Sequence, residues 1–103
     1  MIEVTIKENT SGYISGIIVK GHAGYAQKGA DIVCAAVSIL TFSSLETLKK
    51  HYYVDTREDD GLIECHVLNP GKASNLIVET FVNGIKALTE QYREYVIWQL
   101  QIA

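Results

Sequence analysis

The sequence sets a histidine among glycines, Gly21-His22-Ala23-Gly24, and then a cysteine in the run Asp31-Ile32-Val33-Cys34-Ala35-Ala36-Val37-Ser38. Thiol and imidazole are the groups of covalent acyl-transfer chemistry. A thiol is a strong nucleophile only as thiolate, and a helix N-terminus and a nearby imidazole are the two commonest ways of favouring that form. Asp31 suits a helix N-cap, where its carboxylate accepts a backbone N–H of the first turn. Cys34 would then lie within that turn, among unpaired N–H groups at the positive end of the helix dipole. The pattern predicts a Cys–His enzyme, with Cys34 as nucleophile and His22 as base.

Each residue also has a plainer reading. Free cysteine is among the most buried residue types, so Cys34 could be a small core hydrophobe. His22 could be a surface residue, although Gly21 and Gly24 suit close approach of backbone to a substrate or a loop that changes conformation. Asp31 either caps the helix alone or also orients His22. Ser38, one turn after Cys34 on the same face, either lines the site or bonds back to its own helix. Cys65 and His66 are neighbours on an expected strand and so point to opposite faces; Cys65 shares its face with Ile63 and Val67 and reads as core. No Cys-x-x-Cys or His-x-x-x-His spacing joins His22, Cys34, Cys65 and His66 into a metal set, and no cofactor is expected. A redox thiol enzyme is disfavoured because no resolving cysteine sits near Cys34 in the chain.

The elements that must hold these groups follow from hydrophobic period. Ile2, Val4 and Ile6 alternate with polar residues as in a half-buried strand, Asn9-Thr10-Ser11-Gly12 is a turn cluster, and Tyr13–Lys20 is a second, β-branched strand. Gly21–Ala30 reads as a mobile loop. A helix is predicted from Asp31 to about His51. Its first half is apolar nearly all round, which predicts cover on both sides and makes the cysteine end the buried end. Tyr52–Arg57 and Leu62–Leu68 form a hairpin about Asp60-Gly61. Asn69-Pro70-Gly71 breaks the chain. A second helix follows from about Lys72 to Tyr92 with the stripe Ile77, Phe81, Ile85, Leu88 and Tyr92, and Val96–Ile102 closes as a short strand. The order ββαββαβ predicts one α+β domain over residues 1–103, built on a mostly antiparallel sheet.

Composition narrows the classes. The chain has 103 residues, 48% hydrophobic and 20% charged, with a net charge of -3. That is ordinary for one globular domain and argues against direct nucleic-acid binding, which needs a concentrated basic face. The longest apolar run, Ile32 to Phe42, is short for a bilayer span, so no membrane association is expected. Met1-Ile2-Glu3-Val4 leads straight into strand alternation instead of the basic and apolar segments of a signal peptide. With two cysteines read as free thiols, the expected compartment is the cytoplasm.

On Gly21-His22, Asp31-Ile32-Val33-Cys34-Ala35, the Asp-Gly hairpin and the long second helix, the chain resembles the bacterial ribosomal-processing cysteine protease family, Prp, over nearly its whole length. The resemblance implies removal of a short N-terminal extension from a large-subunit ribosomal protein, number twenty-seven of that subunit, with the cut after a bulky aromatic residue. It also implies a homodimer, His22 as general base, Cys34 as nucleophile, and Gly21, Asp31 and Ser38 as supporting positions. Acyl transfer by these residues is expected to place the oxyanion on backbone N–H groups of the first helical turn. The rival reading is a non-catalytic, ribosome-associated binding module with a structural Cys34.

Overall fold

The computed structural model describes residues 1–102. Its elements are β1 (Ile2–Glu8), β2 (Ile14–Lys20), α1 (Ile32–His51), β3 (Val54–Asp59), β4 (Leu62–Val67), α2 (Lys72–Gln91) and β5 (Val96–Ile102), the ββαββαβ order that hydrophobic period predicts. The five strands form one sheet in the order β3-β4-β2-β1-β5. Three pairings are antiparallel and β1–β5 is parallel, so the sheet is mixed and the fold is α+β.

Strand alternation divides the sheet into a core face and an open face. Ile2, Val4, Ile6, Ile17, Val19, Cys65, Val67 and Val96 point into one core with Val33, Val37, Leu45 and Leu48 of α1 and Val78, Phe81 and Ile85 of α2. Cys65 is 0% exposed, and burial pushes its thiol up from the ordinary value. His66, the next residue, lies on the open face beside Glu64, whose other oxygen meets Arg57. The four His and Cys side chains considered as a metal set therefore do not converge.

The ends of the helices follow their sequence signals. Asp31 caps α1, and three basic residues, Lys49, Lys50 and His51, occupy its last turn, where they complement the negative end of the dipole. Tyr52, expected as the first strand residue, is instead the C-cap of α1, and its hydroxyl accepts the Ser74 amide at the start of α2. There the Ser74 hydroxyl accepts the Gly71 N–H at 2.8 Å and donates back to the Gly71 carbonyl at 3.0 Å, stapling the turn after Pro70.

One expectation about packing needs correction. The cysteine end of α1 is not covered on both sides. Val33 and Val37 are buried, but Ile32 and Ile39 are 55% and 66% exposed, and the fully buried leucines, Leu45 and Leu48, belong to the other end. The sheet covers only one side of α1, and α2 does not reach round to the other. Along β5 only Val96 is buried, while Ile97, Trp98, Leu100 and Ile102 are exposed at the edge of the sheet, although their partners Val4 and Ile6 on β1 are buried. By length and apolar content α1 would also suit a membrane span; its buried residues, Val33, Val37, Leu45 and Leu48, pack into the core.

Candidate active site

Register brings the two motifs together. β1 pairs with β2 through Glu3↔Lys20, and β2 pairs with β4 through Lys20↔Leu62. The residues just past Lys20 therefore emerge between the start of β1 and the turn before β4. Gly21 N–H donates to the Gly61 carbonyl at 2.8 Å, and the Met1 ammonium donates to the His22 carbonyl at 2.6 Å. Gly21 has φ of +95°, and a Cβ there would run into the Met1 carbonyl oxygen, so only glycine fits this crossing.

The chain then turns towards α1. Ala23 is 3% exposed, an apolar anchor inside the glycine-rich loop, and its N–H lies 3.4 Å from Cys34 Sγ. Asp31 ties the rest of the loop to the helix. Its Oδ1 accepts the amides of Val33 at 3.0 Å and Cys34 at 2.9 Å; its Oδ2 accepts those of Tyr25 at 3.0 Å and Ala26 at 3.3 Å. The Cys34 amide bond is the largest cause holding this carboxyl below its ordinary value of 3.8, with the Ala26, Tyr25 and Val33 amides adding to it against partial desolvation. All these partners are backbone amides. Asp31 is a cap and a loop clamp, and it does not contact the His22 imidazole.

The loop is thus more firmly held than its glycines suggest. Tyr25 also meets Tyr92 and Tyr95 edge to face, with ring centroids 5.6 and 5.2 Å away. Beyond Ala26 its internal contact is a turn in which Ala30 N–H reaches the Gln27 carbonyl at 2.9 Å.

His22 and Cys34 line one cleft of about 740 Å³, with Gly21, Asp31 and Ser38 also on its walls. Ile2, Val19, Val37, Phe42, Leu62 and Ile63 supply apolar surface, and Glu58, Asp59 and Asp60 of the β3–β4 hairpin an acidic border. Ser38 faces this cleft one turn past Cys34; the hydroxyls that bond back to α1 are those of Thr41, Ser44 and Thr47. The imidazole of His22 is turned towards the hairpin, with Nε2 3.7 Å from Asp60 Oδ1. In the sequence Asp60-Gly61 is a turn signal and nothing more. Its place beside His22 depends on the β2–β4 register, which no local pattern records.

Three of the first-turn amides are engaged and not open to an oxyanion. Val33 and Cys34 donate to the Asp31 side chain, and Ala35 donates to the Asp31 carbonyl at 3.1 Å. The N–H that does lie against the sulfur comes from the loop, at Ala23.

Comparison with known proteins gives concordant results. The family model for cysteine protease Prp matches residues 1–97. A ribosomal processing cysteine protease Prp of Staphylococcus aureus is 29% identical over 99 residues, 91% of this chain and 93% of its own. The crystal structure of S. aureus Prp with a covalently linked product peptide superposes with a TM-score of 0.89 at 28% identity, covering 100% of both chains. The same protein with a substrate peptide gives 0.86 at 26% identity, covering 98% of this chain and 100% of that one.

Proposed function

This chain belongs to the Prp family of cysteine proteases, which process ribosomal protein, and we propose that it removes the short N-terminal extension of the twenty-seventh protein of the large ribosomal subunit. The observation that carries this reading is the convergence of His22 and Cys34, from separate segments, on one partly apolar cleft with a loop amide lying against the sulfur.

The chemistry is acyl transfer. His22 takes the thiol proton, and Cys34 Sγ bonds to the scissile carbonyl carbon. His22 then gives that proton to the departing amine as the C–N bond breaks. Water, deprotonated by His22, attacks the thioester and frees the acid and the thiol. The Ala23 N–H replaces the first-turn amides as the donor assigned to the developing oxyanion. The apolar wall around Phe42 and Leu62 suits a bulky aromatic residue before the cut. Asp31 and Gly21 support the site by fixing the loop, and Ser38 contributes to the wall. A cytoplasmic homodimer completes the reading, and the exposed apolar residues of α1 and β5 support the second copy.

Incubating the protein with a peptide of the extended N-terminus and weighing the products tests the reaction. One cut, after an aromatic residue, is expected; an intact peptide would leave the non-catalytic module. Alkylation separates the same alternatives. Cys34, on the cleft wall, should react with iodoacetamide at least about tenfold faster than Cys65, which is 0% exposed and whose thiol is pushed up by burial. Equal rates would make Cys34 a structural thiol.

A further inference from the structure

We propose that Asp60 is the positioning residue of His22, an inference that rests on His22 acting as the base. The β3–β4 turn is docked on the histidine at several points. The Gly61 carbonyl accepts the Gly21 N–H at 2.8 Å, one residue before the imidazole. Gly61 has φ of +68°, and a Cβ there would stand 3.0 Å from His22 Nε2, so the ring lies over a bare stretch of turn backbone. Asp59 accepts the Asp60 N–H at 2.8 Å and fixes the turn from within. The Asp60 carboxylate is 3.7 Å from Nε2. A ring whose Nε2 side is committed to Asp60 leaves Nδ1 to exchange a proton with the thiol and the leaving amine.

The charge matters at one stage. After thiol deprotonation His22 is an imidazolium, and an anion on its far side favours that form. The charged and titratable groups that line the cleft with His22 are Glu58, Asp59 and Asp60 from the hairpin, Lys28 and Asp31 from the loop, and Cys34 from α1; the Met1 ammonium holds the His22 carbonyl from β1's start. Among these, Asp60 is the group within ion-pairing distance of the ring, at 3.7 Å. In the free protein the pair is solvated, with side chains 68% and 96% exposed, and so it is weak and salt-sensitive. A peptide lying in the cleft removes water from it and strengthens it when the imidazolium is needed.

The test is kcat and KM of Asp60→Asn and Asp60→Glu at low and high salt, with His22→Ala as reference. Asparagine keeps the size but loses the charge. It should lower kcat about three- to tenfold at low salt, with little change in KM. Glutamate should restore most of the rate. High salt should shrink the gap between wild type and Asp60→Asn. An Asp60→Asn enzyme with the wild-type kcat, beside an inactive His22→Ala, would overturn the proposal while leaving His22 as base. An active His22→Ala would overturn the reading beneath it. A loss in Asp60→Asn that neither salt nor glutamate changes would reduce Asp60 to a turn former.

Discussion

At the scale of single residues, the site depends on how few groups serve several ends. Asp31 shares one carboxylate between the first turn of α1 and the loop that carries His22. Asp31→Asn should keep the half of this role that needs one oxygen, since asparagine caps about as well as aspartate. Its amide nitrogen, however, would face the Tyr25 and Ala26 N–H groups, donor against donor. These two amides should exchange with solvent about tenfold faster or more, and peptide cleavage should fall with them, while thermal stability changes little. Unchanged exchange at Tyr25 and Ala26 would reduce Asp31 to a cap. The sign of its pH dependence follows from the direction of its shift. A carboxyl held below 3.8 stabilises the fold fully above its unfolded value, and that contribution is lost as the pH falls through the lower, folded value. The acid end of the stability profile should therefore be flatter in Asp31→Asn than in the wild type.

At the scale of elements, strands and helices serve as a frame for two loops. The core that fixes them centres on α2 beneath the sheet. Phe81 is 0% exposed, and truncating it to alanine should destabilise the protein by about 3–5 kcal/mol in denaturant titrations, with a proportionate loss of folded, active enzyme. A loss under about 1 kcal/mol would mean that the core closes over the gap. Much of this frame was legible in the sequence. Alternation at Ile2, Val4 and Ile6, the Asp31 cap, the Asp60-Gly61 turn and the Asn69-Pro70-Gly71 break each act locally, so the element order and most boundaries could be read directly. Contacts set by register were not legible. The β2–β4 pairing alone puts Gly61 and Asp60 against Gly21 and His22, and the β1–β2 pairing alone puts Met1 there. The contacts of the glycine-rich loop were not legible for a related reason: Ala23 reaches the core and Tyr25 meets Asp31, Tyr92 and Tyr95, partners that only the fold brings near.

At the scale of the whole molecule, the surface is unfinished in two places. Ile32 and Ile39 lie on the outer side of α1, and Ile97, Trp98, Leu100 and Ile102 crowd the free edge at β5. Unpaired strand edges and large apolar residues together mark interaction surfaces. A homodimer should appear in light scattering as twice the 11.4 kDa chain across the micromolar range, and a single-chain mass throughout would contradict it. The activity itself belongs to the same scale, since β1, β2, the loop, α1 and the β3–β4 hairpin must all be in place before one cleft exists. The most direct measurement is cleavage of the extended N-terminal peptide by wild type and by Cys34→Ala, followed by mass spectrometry of the products under identical conditions. The covalent account predicts a single cut by the wild type and none by a folded Cys34→Ala protein; a Cys34→Ala protein that still makes the same cut would contradict it.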